Sequence, residues 1–245
     1  MIPYERRLQM LQLLEKTDIV SLEDFCNSLQ GVSESTIRRD LKTLATEGQI
    51  TLLRGGGACL KKGSYEIPVT SKTIQNVSEK EKIARYAASL VKDGEAIYLD
   101  SGSTTLRMVK HLREKQITIV TTNALIYPEL QGSKIDCVIA GGEISITTAS
   151  IRGTSTNSFL QKYYFDKAFI GASGFSSGAG INTPDMVEAE KKQIVKNNSE
   201  KSFILADSSK DGKSTLCKIF EIGEVPIICD KESELLIASE NYIIV

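Results

Sequence analysis

The chain has 245 residues, of which 41% are hydrophobic, 25% charged and 6% aromatic. These are ordinary globular values and exclude a wholly disordered or collagen-like polymer. Thirty Lys and Arg against 31 Asp and Glu leave a formal charge of −1, so a nucleic-acid site must be a local feature. No run reaches the roughly 18 apolar residues of a membrane span. The start, Met1-Ile2-Pro3-Tyr4-Glu5-Arg6-Arg7, lacks a secretory apolar stretch, and a cytoplasmic address is expected, with no membrane partner. The cysteines (Cys26, Cys59, Cys137, Cys217, Cys229) are odd in number and scattered, without a CxxC. They read as reduced, packed thiols and offer neither a disulfide framework nor a metal site.

In chain order, Leu8, Leu11 and Leu14 form one stripe of a first helix over about 4–15. Ser21, three residues before Asp24, predicts a capped second helix carrying Phe25, Cys26 and Leu29 inward. Gln30-Gly31-Val32 predicts a turn, and Ser33 caps a third helix over about 34–47 that Gly48 ends. On that helix, at about 100° per residue, Ile37, Leu41 and Leu44 share one face. Ser35, Arg38, Arg39 and Lys42 fall opposite. Gln49-Ile50-Thr51-Leu52, the turn Arg54-Gly55-Gly56-Gly57 and Ala58-Cys59-Leu60 predict a hairpin. Two short helices, a turn, an amphipathic third helix and a hairpin make a winged helix-turn-helix. Residues 34–62 hold six basic groups (Arg38, Arg39, Lys42, Arg54, Lys61, Lys62) and three acidic ones (Glu34, Asp40, Glu47), a local +3. An Arg-Arg pair is often a solvated helix face. Early on a third helix, however, it is placed to meet base edges or phosphates in the major groove. Ser33, Ser35, Thr36, Arg38, Arg39, Lys42 and Arg54 are the candidate contacts to double-stranded operator DNA.

Lys61 to Pro68 has connector character, with Gly63 and Pro68 against a continuous helix. The expected division is a DNA-binding domain over 1–60, a linker over 61–76 and a second domain over 77–245. In the second domain, a helix over about 83–91 precedes strand candidates at 96–100, 117–121, 137–140, 167–170, 203–206 and 225–229. Helical patterns separate several of them. Such alternation predicts an α/β domain with a largely parallel, Rossmann-like sheet covered on both faces. Ligands of such sheets bind where strands end.

The sharpest ligand signal is Asp100-Ser101-Gly102-Ser103-Thr104-Thr105, after a strand and opening a helix. Its free amides, helix dipole and hydroxyls suit a phosphate, although the same residues also make an ordinary helix cap. Thr121-Thr122-Asn123, Gly141-Gly142-Glu143, Gly171-Ala172-Ser173-Gly174 and Asp207-Ser208-Ser209-Lys210 follow other strands. Together these corners are expected to line one pocket for a small polyhydroxylated phosphate, with Asp207 taking sugar hydroxyls and Lys210 and Arg152 adding positive charge. No GxGxxG is present, and Gly212-Lys213-Ser214-Thr215 lacks the upstream glycine of a P-loop, where Asp207 stands. No cofactor is called for. His111 is the sole histidine, so a Ser-His-Asp triad has one candidate base; a surface or packed role suits it better.

These residues resemble the DeoR family of bacterial transcription regulators over essentially the whole chain. The resemblance rests on Val32-Ser33-Glu34-Ser35-Thr36-Ile37-Arg38-Arg39-Asp40-Leu41 and the wing, then on Leu99 to Thr105, Val120 to Asn123, Gly141-Gly142, Asp166 to Gly171, Ala189-Glu190-Lys191 and Ala206 to Lys210. It implies a second domain similar in fold to pentose-phosphate isomerases, a phosphorylated sugar or related metabolite as effector, and a homo-oligomer, dimer or tetramer. The implied function is a repressor of carbohydrate-metabolism genes, not an enzyme, for which DNA release on effector binding is usual. It adds Glu190, at the position of an isomerase catalytic glutamate, to the effector-site candidates Asp100, Ser101, Gly102, Ser103, Thr104, Thr105, Asn123, Gly141, Gly142, Arg152, Asp207 and Lys210. The alternative is a sugar-phosphate isomerase with an accessory N-terminal module, using Glu190 as base. One departure is Gly55, where family members commonly carry His before the two wing glycines.

Overall fold

A computed structural model describes residues 2–17, 19–46, 49–60 and 68–245. The expected helix end at Glu47-Gly48 and the connector residues 61–67 lie outside them. The chain forms two compact units, Met1–Tyr65 and Glu66–Val245.

The first unit is built from α1 (Pro3–Lys16), α2 (Leu22–Ser28), α3 (Glu34–Thr46), β1 (Ile50–Leu52) and β2 (Ala58–Leu60). Pro3 opens α1, where its missing N–H costs nothing. Ser21 Oγ accepts from Asp24 N at 3.1 Å while the Asp24 carboxylate accepts from Ser21 N at 3.2 Å, a reciprocal cap on α2. Gly31 takes φ +82° in the turn before α3. Ile37, Leu41 and Leu44 pack with Met10, Phe25, Ile50 and Ala58 in one core. Fully burying a side chain of this size contributes about 1.5–3 kcal/mol. β1 and β2 pair antiparallel, Ile50 opposite Leu60, and Val20 bridges Ala58 as a third strand segment. Pairing closes α1 on α3 as well: the Arg6 guanidinium donates to the Asp40 carboxylate, both side chains about nine-tenths buried.

The second unit starts with α4 (Val69–Ile74) and α5 (Val77–Ser89). The expected linker over 61–76 is therefore too long at its C-terminal end. Val69 and Ser71 are buried, and α4 belongs to the second unit. There follow β3 (Ala96–Leu99), α6 (Ser103–Leu112), β4 (Thr118–Thr121), β5 (Asp136–Ile139), the hairpin β6 (Glu143–Ser145) and β7 (Ser150–Arg152), and α7 (Thr154–Leu160). Next come β8 (Phe165–Gly171), β9 (Gly174–Ser176), β10 (Gly180–Thr183), α8 (Met186–Asn197) and β11 (Ser199–Leu205). The chain closes with β12 (Cys217–Phe220), β13 (Ile227–Cys229), α9 (Glu234–Ser239) and β14 (Tyr242–Ile244).

Seven strands form one sheet in the order β14-β13-β11-β8-β3-β4-β5, and every pairing in it is parallel. Ile97 and Leu99 face one core with α5 and α6; Tyr98 faces the other with Phe165 and Ala189. Both faces are buried, as a parallel sheet requires. From β3 the chain winds outward through β4 to β5, then returns to the other side of β3 with β8 and winds out to β14. The winding reverses between β3 and β8, which opens a crevice at the carboxyl ends of those strands.

The Arg6–Asp40 pair generates a stability prediction. Asp40→Ala leaves a buried guanidinium without its carboxylate and should cost about 3–5 kcal/mol. In a urea titration followed by far-UV circular dichroism, the transition of the first unit should move to lower urea and that of the second should stay. An unmoved first transition would show the pair to be dispensable.

Candidate functional site

Two surfaces carry chemistry. On the first unit, the outward face of α3 bears Ser35, Arg38, Arg39 and Lys42, all exposed, while Ile37 and Leu41 are inside. Ser33 Oγ lies 2.8 Å from Thr36 Oγ1 and 3.1 Å from Ser35 Oγ and accepts from Thr36 N at 3.3 Å, which fixes the first turn. Arg54 is exposed on the turn between β1 and β2. Asp40, counted in the sequence as one of three acids offsetting the local charge, is turned inward to Arg6. Among the described residues of α3, the exposed cations Arg38, Arg39 and Lys42 therefore face only the Glu34 carboxylate.

On the second unit, the crevice at the β3/β8 reversal is lined by Asp100, Ser101, Gly102, Ser103 and Thr104 from one side and by Gly171, Ala172 and Ser173 from the other. Asp207 and Lys210 enter from the end of β11, and α4, α5 and α8 add Lys72, Lys80, Glu188 and Lys192. The loop exists because Asp100 is bonded across the reversal: its Oδ2 accepts from Gly171 N at 3.0 Å and from the Lys192 ammonium. Thr105 Oγ1 donates to Asp100 O at 2.7 Å and accepts from Gly102 N at 3.1 Å, closing the turn into α6. The first-turn amides of α6 then face the crevice with the positive end of the helix dipole. Asn76, in the left-handed region at φ +48°, donates to Asp207 Oδ1 and Ser209 Oγ, each at 2.9 Å. The start of α4 is pinned by Val69 N donating to Thr147 O at 2.8 Å.

The electrostatics follow from burial. Burial alone would raise the Asp100 carboxyl, but the Lys192 and Lys191 ammonium groups outweigh it and hold it below the usual carboxylate range. Beside it, burial and the Asp100 charge push the Tyr98 phenol well above its usual range. Lys80 donates to the Lys72 carbonyl. Burial lowers its ammonium to about 8, with Asp207 opposing the shift and Lys210, Arg107 and Lys72 adding to it. Behind the crevice, Lys191 is fully buried, and its Nζ donates to Ser150 Oγ at 2.6 Å and Glu188 Oε1 at 3.0 Å.

Several expected residues lie elsewhere. Glu190 is exposed. It sits two residues from Glu188, about 200° around the helix, on the opposite face; Glu188 is the α8 carboxylate that lines the crevice. Thr105 is buried beneath the loop that it shapes. Asn123 is buried, its Oδ1 accepting from Leu125 N at 3.0 Å. Gly141 O accepts from Thr156 Oγ1 at 2.8 Å, and a Cβ on Gly142 would lie 2.0 Å from Thr156 Oγ1, so Gly142 lets α7 pack on the hairpin. Arg152 pairs with Asp185 at the start of α8. The corners after β4 and β5 lie on the far side of β3, away from the reversal, which is why they do not join the others. Lys72, Lys80, Glu188 and Lys192 were missed by sequence reasoning. The spacing of Glu188, Lys191, Lys192 and Val195, one helical stripe that ends in an apolar residue, was the available signal for α8.

The buried pair yields a contrast to measure. Glu188→Gln leaves the Lys191 ammonium without its counter-charge and should destabilise the second unit by about 3–5 kcal/mol, whereas Glu190→Gln should leave its urea midpoint where it is. Equal midpoints for the two variants would refute this assignment of faces.

The geometry agrees with what the chain resembles. The profile described as DeoR C terminal sensor domain matches residues 75–231, and that described as DeoR-like helix-turn-helix domain matches residues 6–62. The "Uncharacterized HTH-type transcriptional regulator FruR" of Bacillus subtilis (strain 168) is 36% identical over 243 residues, 99% of this chain and 96% of that protein. The "HTH-type transcriptional regulator IolR" of the same organism is 35% identical over 80% of this chain and 78% of its own length. The "Lactose phosphotransferase system repressor" of Staphylococcus aureus (strain N315) is 29% identical over 94% and 93%. Among solved structures, ribose 5-phosphate isomerase A from Methanocaldococcus jannaschii aligns with 61% of this chain and 58% of its own at 24% identity and a TM-score of 0.42. Among the described residues, no helix is long and apolar enough to cross a membrane. With both halves matched in order and relatives aligned nearly end to end, this chain belongs to the DeoR family of helix-turn-helix transcriptional regulators.

Proposed function

We propose that this regulator is a cytoplasmic repressor of carbohydrate-metabolism genes, and that a phosphorylated sugar or related metabolite in the β3/β8 crevice sets its affinity for operator DNA. The observation that carries the reading is the Ser101–Thr104 loop at the N-terminus of α6, in a crevice that four lysines share. A phosphate there meets backbone amides and hydroxyls, and Asp207 accepts from sugar hydroxyls. Lys72, Lys80, Lys192 and Lys210 outnumber the lining carboxylates Asp100, Glu188 and Asp207, and Lys191 neutralises Glu188 from behind. The surplus favours a dianion. The name of the staphylococcal relative, a lactose phosphotransferase system repressor, supports the same class of regulated gene.

The effector controls DNA binding only to the extent that it discriminates between DNA-competent and incompetent states. A homo-oligomer with paired heads reads paired half-sites. The isomerase alternative needs Glu190 as base, and that side chain is exposed on the far face of α8.

Lys210→Ala and Asp207→Ala should keep operator affinity and lose the response to sugar phosphate, read by fluorescence anisotropy of a labelled duplex. Loss of basal DNA binding in either folded variant would sink the separation of roles. Turnover of pentose or hexose phosphates by the purified protein would overturn the non-enzymatic reading. The effector's phosphate is already dianionic above pH 7, so Lys80 is the group whose charge changes there. Its folded value near 8 means that the ammonium is lost as pH rises through that range. Calorimetric affinity for a sugar phosphate should therefore fall from pH 7 to pH 9, and the fall should be absent in Lys80→Met. A flat profile in the wild type would remove Lys80 from the binding site.

A further inference from the structure

We infer that Glu34 positions Arg38 for base reading, so that the two adjacent arginines of α3 act differently: Arg38 discriminates sequence and Arg39 neutralises phosphate. This rests on α3 being the DNA-contacting helix. Arg38 Nε donates to Glu34 Oε1 at 2.8 Å, one turn back on the same helix. Its guanidinium also lies over the wing turn: a Cβ on Gly56 would sit 2.9 Å from Arg38 Nη1 and 3.6 Å from Cζ. The side chain is nevertheless 53% exposed. It is held at its Nε edge and along one flank, with about half of the side chain open to solvent. Arg39, about 100° further round, is exposed and has no side-chain partner among the described residues. Asp40, the next residue, is turned inward to Arg6 and locks the helix to α1. Three consecutive charged residues thus receive three different environments.

Electrostatics separates the two arginines. A phosphate approaching Arg38 meets the Glu34 carboxylate and is repelled. The O6 and N7 acceptors of guanine carry no net charge, and a guanidinium already fixed by a carboxylate loses less freedom on forking onto them. Arg39 has no such neighbour. An exposed cation without a bracing carboxylate suits a backbone contact, which positions without specifying. Gly55 and Gly56 supply an internal control. Both hold positive φ, +92° and +90°, but a Cβ on Gly55 meets nothing within 4 Å. Alanine is comparably strained at either position, and only at Gly56 does it press on neighbours, Arg38 first and then Leu22 Cδ2 at 3.3 Å.

The test uses full-length protein and a duplex selected by the wild type from a randomised pool, with a scrambled duplex as reference and melting curves for every variant. Affinities are read by anisotropy across a salt series. Arg38→Ala should cut the ratio of specific to scrambled affinity by about 5–150-fold and leave the salt slope nearly unchanged. Arg39→Ala should weaken both duplexes alike and lower the salt slope by about one. Glu34→Ala should reduce the ratio in the wild type and do nothing further in the Arg38→Ala background, while Glu34→Gln, which keeps an acceptor for Arg38 Nε, recovers part of the loss. Gly56→Ala should reduce the ratio more than Gly55→Ala at equal melting temperature. The inference is overturned if Glu34→Ala has the same effect with and without Arg38, which makes Glu34 an independent contact. Higher affinity for every duplex at an unchanged ratio overturns it too, since only a charge was then removed. So does a collapse of the ratio in Arg39→Ala alone. If both arginine variants bind both duplexes like the wild type, the failure belongs to the reading of α3 as the DNA face, and the division of roles falls with it.

Discussion

The buried Asp100 carboxylate is the interaction on which the second unit depends. The sheet reverses its winding between β3 and β8, and the two strands must be joined at their carboxyl ends if the crevice is to keep its shape. Asp100 does this by accepting the Gly171 amide on one side and Lys192 of α8 on the other. A carboxylate so deep in the protein persists only because two lysines of α8 outweigh the cost of its burial. One charged group therefore fixes a strand pair, a helix and the loop that opens α6. The hydroxyls of that loop are consequences of its turn, which Thr105 closes from beneath.

The crevice collects charge from parts of the chain that are far apart in sequence. Lys72 and Lys80 come from the two helices that open the unit, Lys192 and Glu188 from α8, and Asp207 and Lys210 from the end of β11. Burial lowers the Lys80 ammonium, and the charges of Lys210, Arg107 and Lys72 add to the shift against the opposing Asp207. Under the proposed function, an anion in the crevice would offset that repulsion as well as form hydrogen bonds.

The first unit solves a different problem with the same currency of charge. α3 must show cations outward and remain fixed in orientation. Its apolar stripe supplies the packing, and Asp40 ties it to Arg6 of α1. The neighbouring Arg38 is braced by Glu34 and by the wing. The orientation of α3 is thus set by its apolar stripe and one buried ion pair, while the surface pair lies within the helix and holds one side chain.

How much was legible in the sequence follows from the range of each signal. Periodicity and caps are local: Ile37, Leu41 and Leu44 on one stripe, Ser21 with Asp24, and the glycine turn between β1 and β2 marked the winged head, and most strands of the sheet were found within a few residues. β14 was not, nor were β12 and the hairpin strands β6, β7, β9 and β10, each of three or four residues and so too short for a period to show. Asp100 to Thr104, Asp207 and Lys210 were found because their chemistry is written in contiguous residues. Strand order was not written there. The sequence alone could state that sites form where strands end, and so it gathered Asn123, Gly141 and Gly142 with the rest; the reversal between β3 and β8 decided which ends converge. Likewise Glu190 and Glu188 read alike as letters, and only the rotation of α8 against the sheet put one in the crevice and the other in water. Local interactions select the elements, whereas a binding site is made by side chains that meet across the fold, and that meeting is decided by packing.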